Sequence, residues 1–130
     1  MTDQPPPDLR LRPARIARRR QLEAAWQQRL AAGLSAGGLT LRCGESDRSA
    51  FSQLLVMLAE AERLGPLPAT VPVTDRTGQI HDFSVPDLRA LLVAYGAAYQ
   101  ALWIRKARFH EAIEQAASPE AVAAIEITFP

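Results

Sequence analysis

The chain has 130 residues, a formal net charge of +1 at pH 7 and an ordinary hydrophobic fraction of 48%. This length predicts one small domain with a tail, and the single cysteine excludes an internal disulfide framework. No apolar run approaches the roughly 18–20 residues that span a bilayer, and the N-terminus lacks the apolar segment of a signal peptide. We therefore expect synthesis in the cytosol and no membrane association.

The N-terminal stretch combines proline with arginine. Residues 1–12 are Pro-rich and polar, which predicts a disordered tail ahead of a single α+β domain over residues 13–130. Six arginines form an arm with a predicted affinity for an anionic partner: Arg10, Arg12, Arg15, Arg18, Arg19 and Arg20. No aromatic residue lies within the arm to stack on bases, so plain solvation or an acidic protein surface is favoured over nucleic acid.

The first helix is predicted from Pro13 to about Ala32, with Leu22, Trp26 and Leu30 on one apolar stripe. A short strand over residues 39–43 should follow the Gly37-Gly38 turn. A second helix is expected to start near Ser46 or Asp47. It should end at Leu64, before Gly65 and Pro66.

Two extended runs on either side of the turn at residues 74–78 predict a hairpin. Ser84 is the expected N-cap of a helix that runs to about Ala117, about 32 residues or roughly 48 Å. Ser118 should cap a short last helix, and the alternation of residues 125, 127 and 129 suggests a final strand. The predicted fold is α+β and mostly helical, with one long heptad-patterned helix, two shorter helices and one or two small β-hairpins.

Apolar residues in the long helix recur at alternating spacings of four and three, the 3.5-residue period of a helix that packs along another helix. Together with the adjacent Trp103, these residues are the predicted partner-binding set: Leu88, Leu92, Tyr95, Tyr99, Leu102, Trp103, Phe109 and Ile113. The sequence leaves open whether this seam packs within the chain, on a partner or on a second copy. Lys106 interrupts it, and either its stem packs while its ammonium reaches solvent or it sets the register.

Residues that carry chemistry are isolated from one another. Cys43, His81 and His110 show no metal-ligand spacing, the carboxylates are scattered, and no glycine-rich phosphate loop follows a strand. Cys43 is expected to be a small buried hydrophobe. We expect no catalytic residues, no metal, no cofactor and no enzymatic activity.

The order of elements over about residues 20–130 carries a resemblance. The segments concerned are residues 29–33 and 38–41, the polar run 45–49, the turn 74–78 ahead of 83–88, and 116–120. In this order the chain resembles a small domain-of-unknown-function family from the tail-fibre and tail-assembly gene clusters of tailed bacteriophages and prophages. It departs from that pattern at Pro130, where relatives often end in Trp-Pro, at Val73, which lacks a nearby Trp, and in the unmatched arginine arm.

The resemblance implies a non-enzymatic tail protein, associated with the tail fibre, baseplate or tail tip, that acts through helix-mediated protein contacts. Its expected partner is a tail or tail-fibre protein, with a second copy of the chain as a further option. Its expected location is the virion tail, and the host cytoplasm during assembly. Two alternatives remain: a tail-fibre assembly chaperone that is absent from the mature particle, and a small nucleic-acid-binding regulator that uses the arginine arm.

Overall fold

A computed structural model describes residues 8–130, so residues 1–7 of the predicted tail lie outside the described part of the chain. The elements in chain order are α1 (Leu11–Ala31), β1 (Leu34–Ala36), β2 (Leu39–Leu41), α2 (Glu45–Leu64), β3 (Thr70–Thr74), β4 (Ile80–Ser84), α3 (Val85–Gln115) and α4 (Pro119–Ala123). The mostly helical α+β fold predicted from the sequence is confirmed. Within the described residues, no helix is both long enough and apolar enough to cross a membrane.

Local capping signals set the helix boundaries. The Ser84 hydroxyl accepts a hydrogen bond from the Asp87 N–H at 3.3 Å, and the Ser118 hydroxyl accepts one from the Ala121 N–H at 3.1 Å. At the end of α2, the Gly65 N–H donates to the Ala61 carbonyl at 3.1 Å. Helix α1 begins at Leu11, two residues before the expected start at Pro13, because the carbonyls of Asp8 and Arg10 accept from the first-turn N–H groups of Leu11 and Ala14.

The described chain divides into two compact units, and α1 and α3 each contribute to both. One unit combines the N-terminal stretch through Gln27 with Trp103–Pro130, and the other is the continuous segment Gln28–Leu102. We call them the terminal unit and the central unit.

Two antiparallel hairpins and α2 cover the first half of α3 in the central unit. Strand β1 pairs with β2 and β3 pairs with β4, each in a two-stranded sheet. The Arg76 N–H donates to the Thr40 carbonyl at 2.8 Å, which connects the two hairpins. Strand β1 was not predicted, because its three residues carry no alternation long enough to distinguish a strand from a loop. The core of this unit consists of Leu34, Ala36, Leu41, Cys43, Leu58, Val73, Val85, Leu88, Leu91, Leu92, Tyr95 and Leu102.

The β1–β2 turn depends on the absence of a side chain at Gly37. This residue has φ +57°, a conformation that L side chains rarely adopt, and a Cβ there would lie 2.7 Å from Leu91 Cδ1. The turn therefore sits directly on α3.

In the terminal unit, α1 packs along the second half of α3, and the C-terminal segment crosses both helices. Leu22, Trp26, Ile113 and Val122 are buried. The ring of Phe129 lies 5.5 Å from that of Trp26 and 5.6 Å from that of Phe109, measured between centroids. Residues 125, 127 and 129 alternate inward as predicted, but no strand forms there in the described chain.

Candidate functional site

The predicted seam of α3 lies mostly inside the chain. In the central unit Leu88, Leu92, Tyr95 and Leu102 are buried, and in the terminal unit Ile113 is fully buried. Their side chains fill the cores of their own units, although Leu92 and Tyr95 also border an open groove between α2 and α3. The heptad pattern located the correct face of α3, but the expectation of partner binding has to be corrected for Leu88, Leu102 and Ile113, which are buried and do not line that groove.

The remaining seam positions differ in exposure. Tyr99 and Phe109 are half-buried, and Trp103 is 49% exposed. Lys106 is half-buried: its Nζ lies 2.8 Å from Glu23 Oε2 and 5.1 Å from the centroid of the Trp26 ring. Lys106 thus reaches the edge of the terminal unit, where an ion pair and a ring face hold its ammonium group.

Tyr95 is the polar member of the buried seam. Its hydroxyl donates to the Arg42 carbonyl at 2.8 Å, and its ring meets that of Phe51 edge-on with 4.7 Å between centroids. Burial raises the pKa of the Tyr95 phenol well above its usual range. The residue therefore stays neutral and acts as a structural hydrogen-bond donor.

Most of the arginine arm bonds to its own chain. Arg15 donates to the Ala116 carbonyl at 2.8 Å, just beyond the C-terminal end of α3, where the helix dipole is negative. Arg18 donates to the Ile125 carbonyl, and Arg19 forms an ion pair with Glu114. Arg10 lies between Asp8 at 2.8 Å and Glu120 at 3.3 Å. Arg12 and Arg20 are exposed. Five of the six arginines therefore lie in α1 and Arg10 just precedes it, and four of the guanidinium groups contact the C-terminal part of the chain.

The isolated polar groups have structural partners. Asp75 accepts from the Thr77 hydroxyl at 2.6 Å and from the Thr77 and Gln79 N–H groups at 2.8 and 3.0 Å, and its second oxygen lies 2.8 Å from His81 Nε2. The Thr77 hydroxyl above all, followed by His81, holds the pKa of Asp75 well below its usual range. These bonds fix the β3–β4 turn.

Cys43 and His110 lie apart from this cluster. The Cys43 thiol is buried and donates to the Leu30 carbonyl at 2.9 Å, and burial raises its pKa. His110 is exposed on α3. Over residues 8–130, the structure contains no cluster of three or more His, Cys, Asp or Glu side chains that could hold a metal ion.

An open apolar groove runs between α2 and α3 in the central unit. It has a volume of about 440 Å³. Ser52 and Leu55 form its α2 wall, and Val93 and Gly96 form its α3 wall. Val93 is 64% exposed and Leu55 is 37% exposed, so both apolar side chains are accessible from solvent. A second, smaller cleft of about 220 Å³ lies between α2 and β3.

One end of the groove carries its charge. The Arg48 guanidinium stacks on the Tyr99 ring at 4.2 Å from the centroid and donates to the Cys43 carbonyl at 2.8 Å. Among the described residues that line the groove, Arg48 is the only one with a formal charge. Beyond the opposite end, Arg89 forms an ion pair with Glu62. The groove is therefore apolar along its length and positive at one end.

The sequence prediction found only part of this groove: Leu92, Tyr95 and Tyr99 belong to the heptad seam, whereas Val93 and Gly96 lie outside it. A signal was nevertheless present. Valine is not favoured on a solvated helix face, and glycine weakens a helix interior. Val93 and Gly96 nevertheless occur one turn apart on α3.

The fold and this surface define a small, mostly helical α+β protein with an open apolar groove between two helices. Its sequence matches the family model described as "Domain of unknown function (DUF4376)" over residues 13–128, and the chain belongs to this family. Comparisons with curated proteins and with solved structures find no match.

Proposed function

We propose that this protein is a non-enzymatic bacteriophage tail component that binds a tail-fibre, baseplate or tail-tip protein as a structural or adaptor subunit. The resemblance of its element order to proteins of tail gene clusters supports the setting. The groove between α2 and α3 supports the mode of action, and its lining combines seam residues with the exposed Val93 and Leu55. In this proposal the protein works in the virion tail and is present in the host cytoplasm during assembly.

The exposed apolar walls of the groove carry the proposal. Val93 and Leu55 place aliphatic surface against water, which a stable monomer does not require, and contiguous exposed apolar surface in a cleft is typical of a protein-binding site. The lining lacks a carboxylate or an imidazole that could act as a general base. These features favour binding over catalysis.

The use of the arginines argues against the nucleic-acid alternative. Arg15, Arg18 and Arg19 bond to carbonyl or carboxylate oxygens of the terminal unit, so only part of the arm's charge is left to contact phosphates. The assembly-chaperone alternative would involve the same groove that a structural subunit uses. The two differ in whether the protein stays in the particle.

Quantitative mass spectrometry of purified particles from the encoding phage or prophage tests the proposal. We expect the protein at a fixed copy number that matches the symmetry of a tail site. Presence in the lysate together with absence from particles would favour the chaperone instead. A tail function would be contradicted if the protein were absent from particles and formed no complex with a tail protein in the lysate.

Complementation of a phage that lacks this gene tests whether the groove is the contact surface. Val93→Glu places a charge in the groove at an already exposed position, so the chain should fold but fail to restore infectious particles. Met57→Glu is the matched control, because Met57 is 59% exposed on α2 but does not line the groove. Equal titres from both variants would place the contact elsewhere.

A further inference from the structure

We infer that the groove binds one amphipathic α-helix of its partner, with apolar side chains over Val93 and Gly96 and a carboxylate against Arg48. This inference rests on the proposed function, in that the groove must bind a protein, and it adds the conformation, the register and the charge of the bound segment.

The walls of the groove determine the conformation of the occupant. Both walls are helices, whose backbone groups are already hydrogen-bonded within α2 and α3, and the exposed lining is largely apolar. An extended peptide would leave its N–H and C=O groups facing aliphatic side chains without partners. A helix satisfies its own backbone and presents only side chains. The segment from Arg48 to Leu55 covers about two helical turns, roughly 10 Å, which matches apolar residues at positions i, i+3 or i+4, and i+7.

We expect the bound helix to approach α3 most closely at Gly96. It lies inside α3 without a positive φ, and a Cβ at this position would meet nothing within 4 Å. The fold of the chain itself therefore gives no steric reason for glycine here, although glycine weakens a helix interior relative to alanine. Its position in the wall of an open groove leaves space for an apolar side chain of another molecule.

Charge complementarity fixes the orientation. Arg48 is half-buried, and its stacking on Tyr99 holds it at one end of the groove. A guanidinium has five N–H donors, and the Cys43 carbonyl accepts from one of its nitrogens. Glu62 already pairs with Arg89 near the opposite end. A carboxylate on the bound helix is therefore attracted to the Arg48 end, where it can form a charge-assisted hydrogen bond.

A display selection with the purified full-length chain tests the inference. The probe is a yeast-displayed library of three-helix bundles in which one exposed helix face is randomised. We expect enriched clones to carry an apolar pair one turn apart and a Glu or Asp on the Arg48 side. Their affinity should fall about tenfold or more on Gly96→Leu and on Arg48→Glu. A clone with its acid changed to Lys should recover affinity for Arg48→Glu but not for Gly96→Leu.

Two further measurements keep the outcome decisive. Circular dichroism melting shows whether each variant folds, and Gly96→Ala provides a smaller change that should stabilise α3 while it weakens binding. Enriched clones without an acid bias, or clones that bind wild type and groove variants equally, would overturn the inference. So would dimerisation of the chain that Gly96→Leu abolishes, because the occupant would then be a second copy. None of these results bears on the presence of the protein in phage particles, so failure of the proposed function is measured separately.

Discussion

The Arg48 guanidinium lies over the Tyr99 ring at 4.2 Å from its centroid, and it connects the first turn of α2 to the middle of α3. Tyr99 belongs to the predicted heptad seam, whereas Arg48 belongs to the polar run at residues 45–49. At Tyr99 the seam comes to the surface and borders the groove, and at the next seam position Leu102 is buried again. The same helix face thus stabilises the central unit and borders the candidate binding site.

The Tyr95 hydroxyl should contribute measurably to stability. Tyr95→Phe removes the donor to the Arg42 carbonyl and should lower the free energy of unfolding by about 1–2 kcal/mol. Urea denaturation followed by far-UV circular dichroism measures the change. An unchanged midpoint would mean that the Arg42 carbonyl accepts from another donor in the variant.

Two glycine-to-alanine substitutions should have opposite effects. Gly96→Ala should raise the free energy of unfolding by about 0.5–1 kcal/mol, because alanine favours the helix interior and its Cβ meets nothing. Gly37→Ala should lower it, because φ is +57° and the new Cβ would lie 2.7 Å from Leu91 Cδ1. Thermal melts of both variants provide the comparison. Destabilisation by Gly96→Ala would show that the space in the groove wall is filled by the chain itself.

The Asp75 cluster should make stability depend on acid pH. Hydrogen bonds hold the pKa of Asp75 below its unfolded value, so the unfolded chain binds the proton more readily than the folded chain. The contribution is therefore complete above the unfolded pKa and declines as pH falls towards the folded one. Urea midpoints between about pH 6 and pH 2.5 should fall more steeply for wild type than for Asp75→Asn. An equal fall of the urea midpoint with pH in both proteins would contradict the assignment of this pH dependence to Asp75.

The Cys43 thiol should react slowly in the folded chain. It is buried, and burial also raises its pKa, so little thiolate is present or accessible at neutral pH. Reaction with a chromogenic disulfide should be slow in buffer and rapid in urea. A single exposed thiol, introduced as Ser46→Cys in a Cys43→Ala background, is the positive control. Equal rates for the two thiols in buffer would disprove the burial of Cys43.

Local signals explain why so much of the fold could be predicted. Ser84, Ser118 and Gly65 end or begin helices through contacts within a few residues, and the sequence displays such contacts directly. The elements that cover the seam could not be predicted in this way, because periodicity identifies the apolar face of a helix but not the segment that packs against it. The Tyr95–Arg42 bond joins residues 53 positions apart.

The role of the arginine arm was predictable in part. Arg15, Arg18 and Arg19 occur at helical spacing from Leu22 and Trp26 and extend the same stripe of α1, which indicates an inward-facing role rather than a separate arm. Their acceptors lie far along the chain: carbonyls 101 and 107 residues away for Arg15 and Arg18, and the Glu114 carboxylate 95 residues away for Arg19. No local pattern identifies those acceptors.

The composition of the terminal unit has a consequence during translation. Arg15 emerges from the ribosome 101 residues before its acceptor Ala116, a delay of about 5–20 s at ordinary elongation rates. The central unit, Gln28–Leu102, is complete before that delay ends. Until the second half of α3 emerges near the end of that delay, Leu22 and Trp26 lack the segments that cover them, so the nascent chain exposes an apolar helix to which a ribosome-associated chaperone can bind.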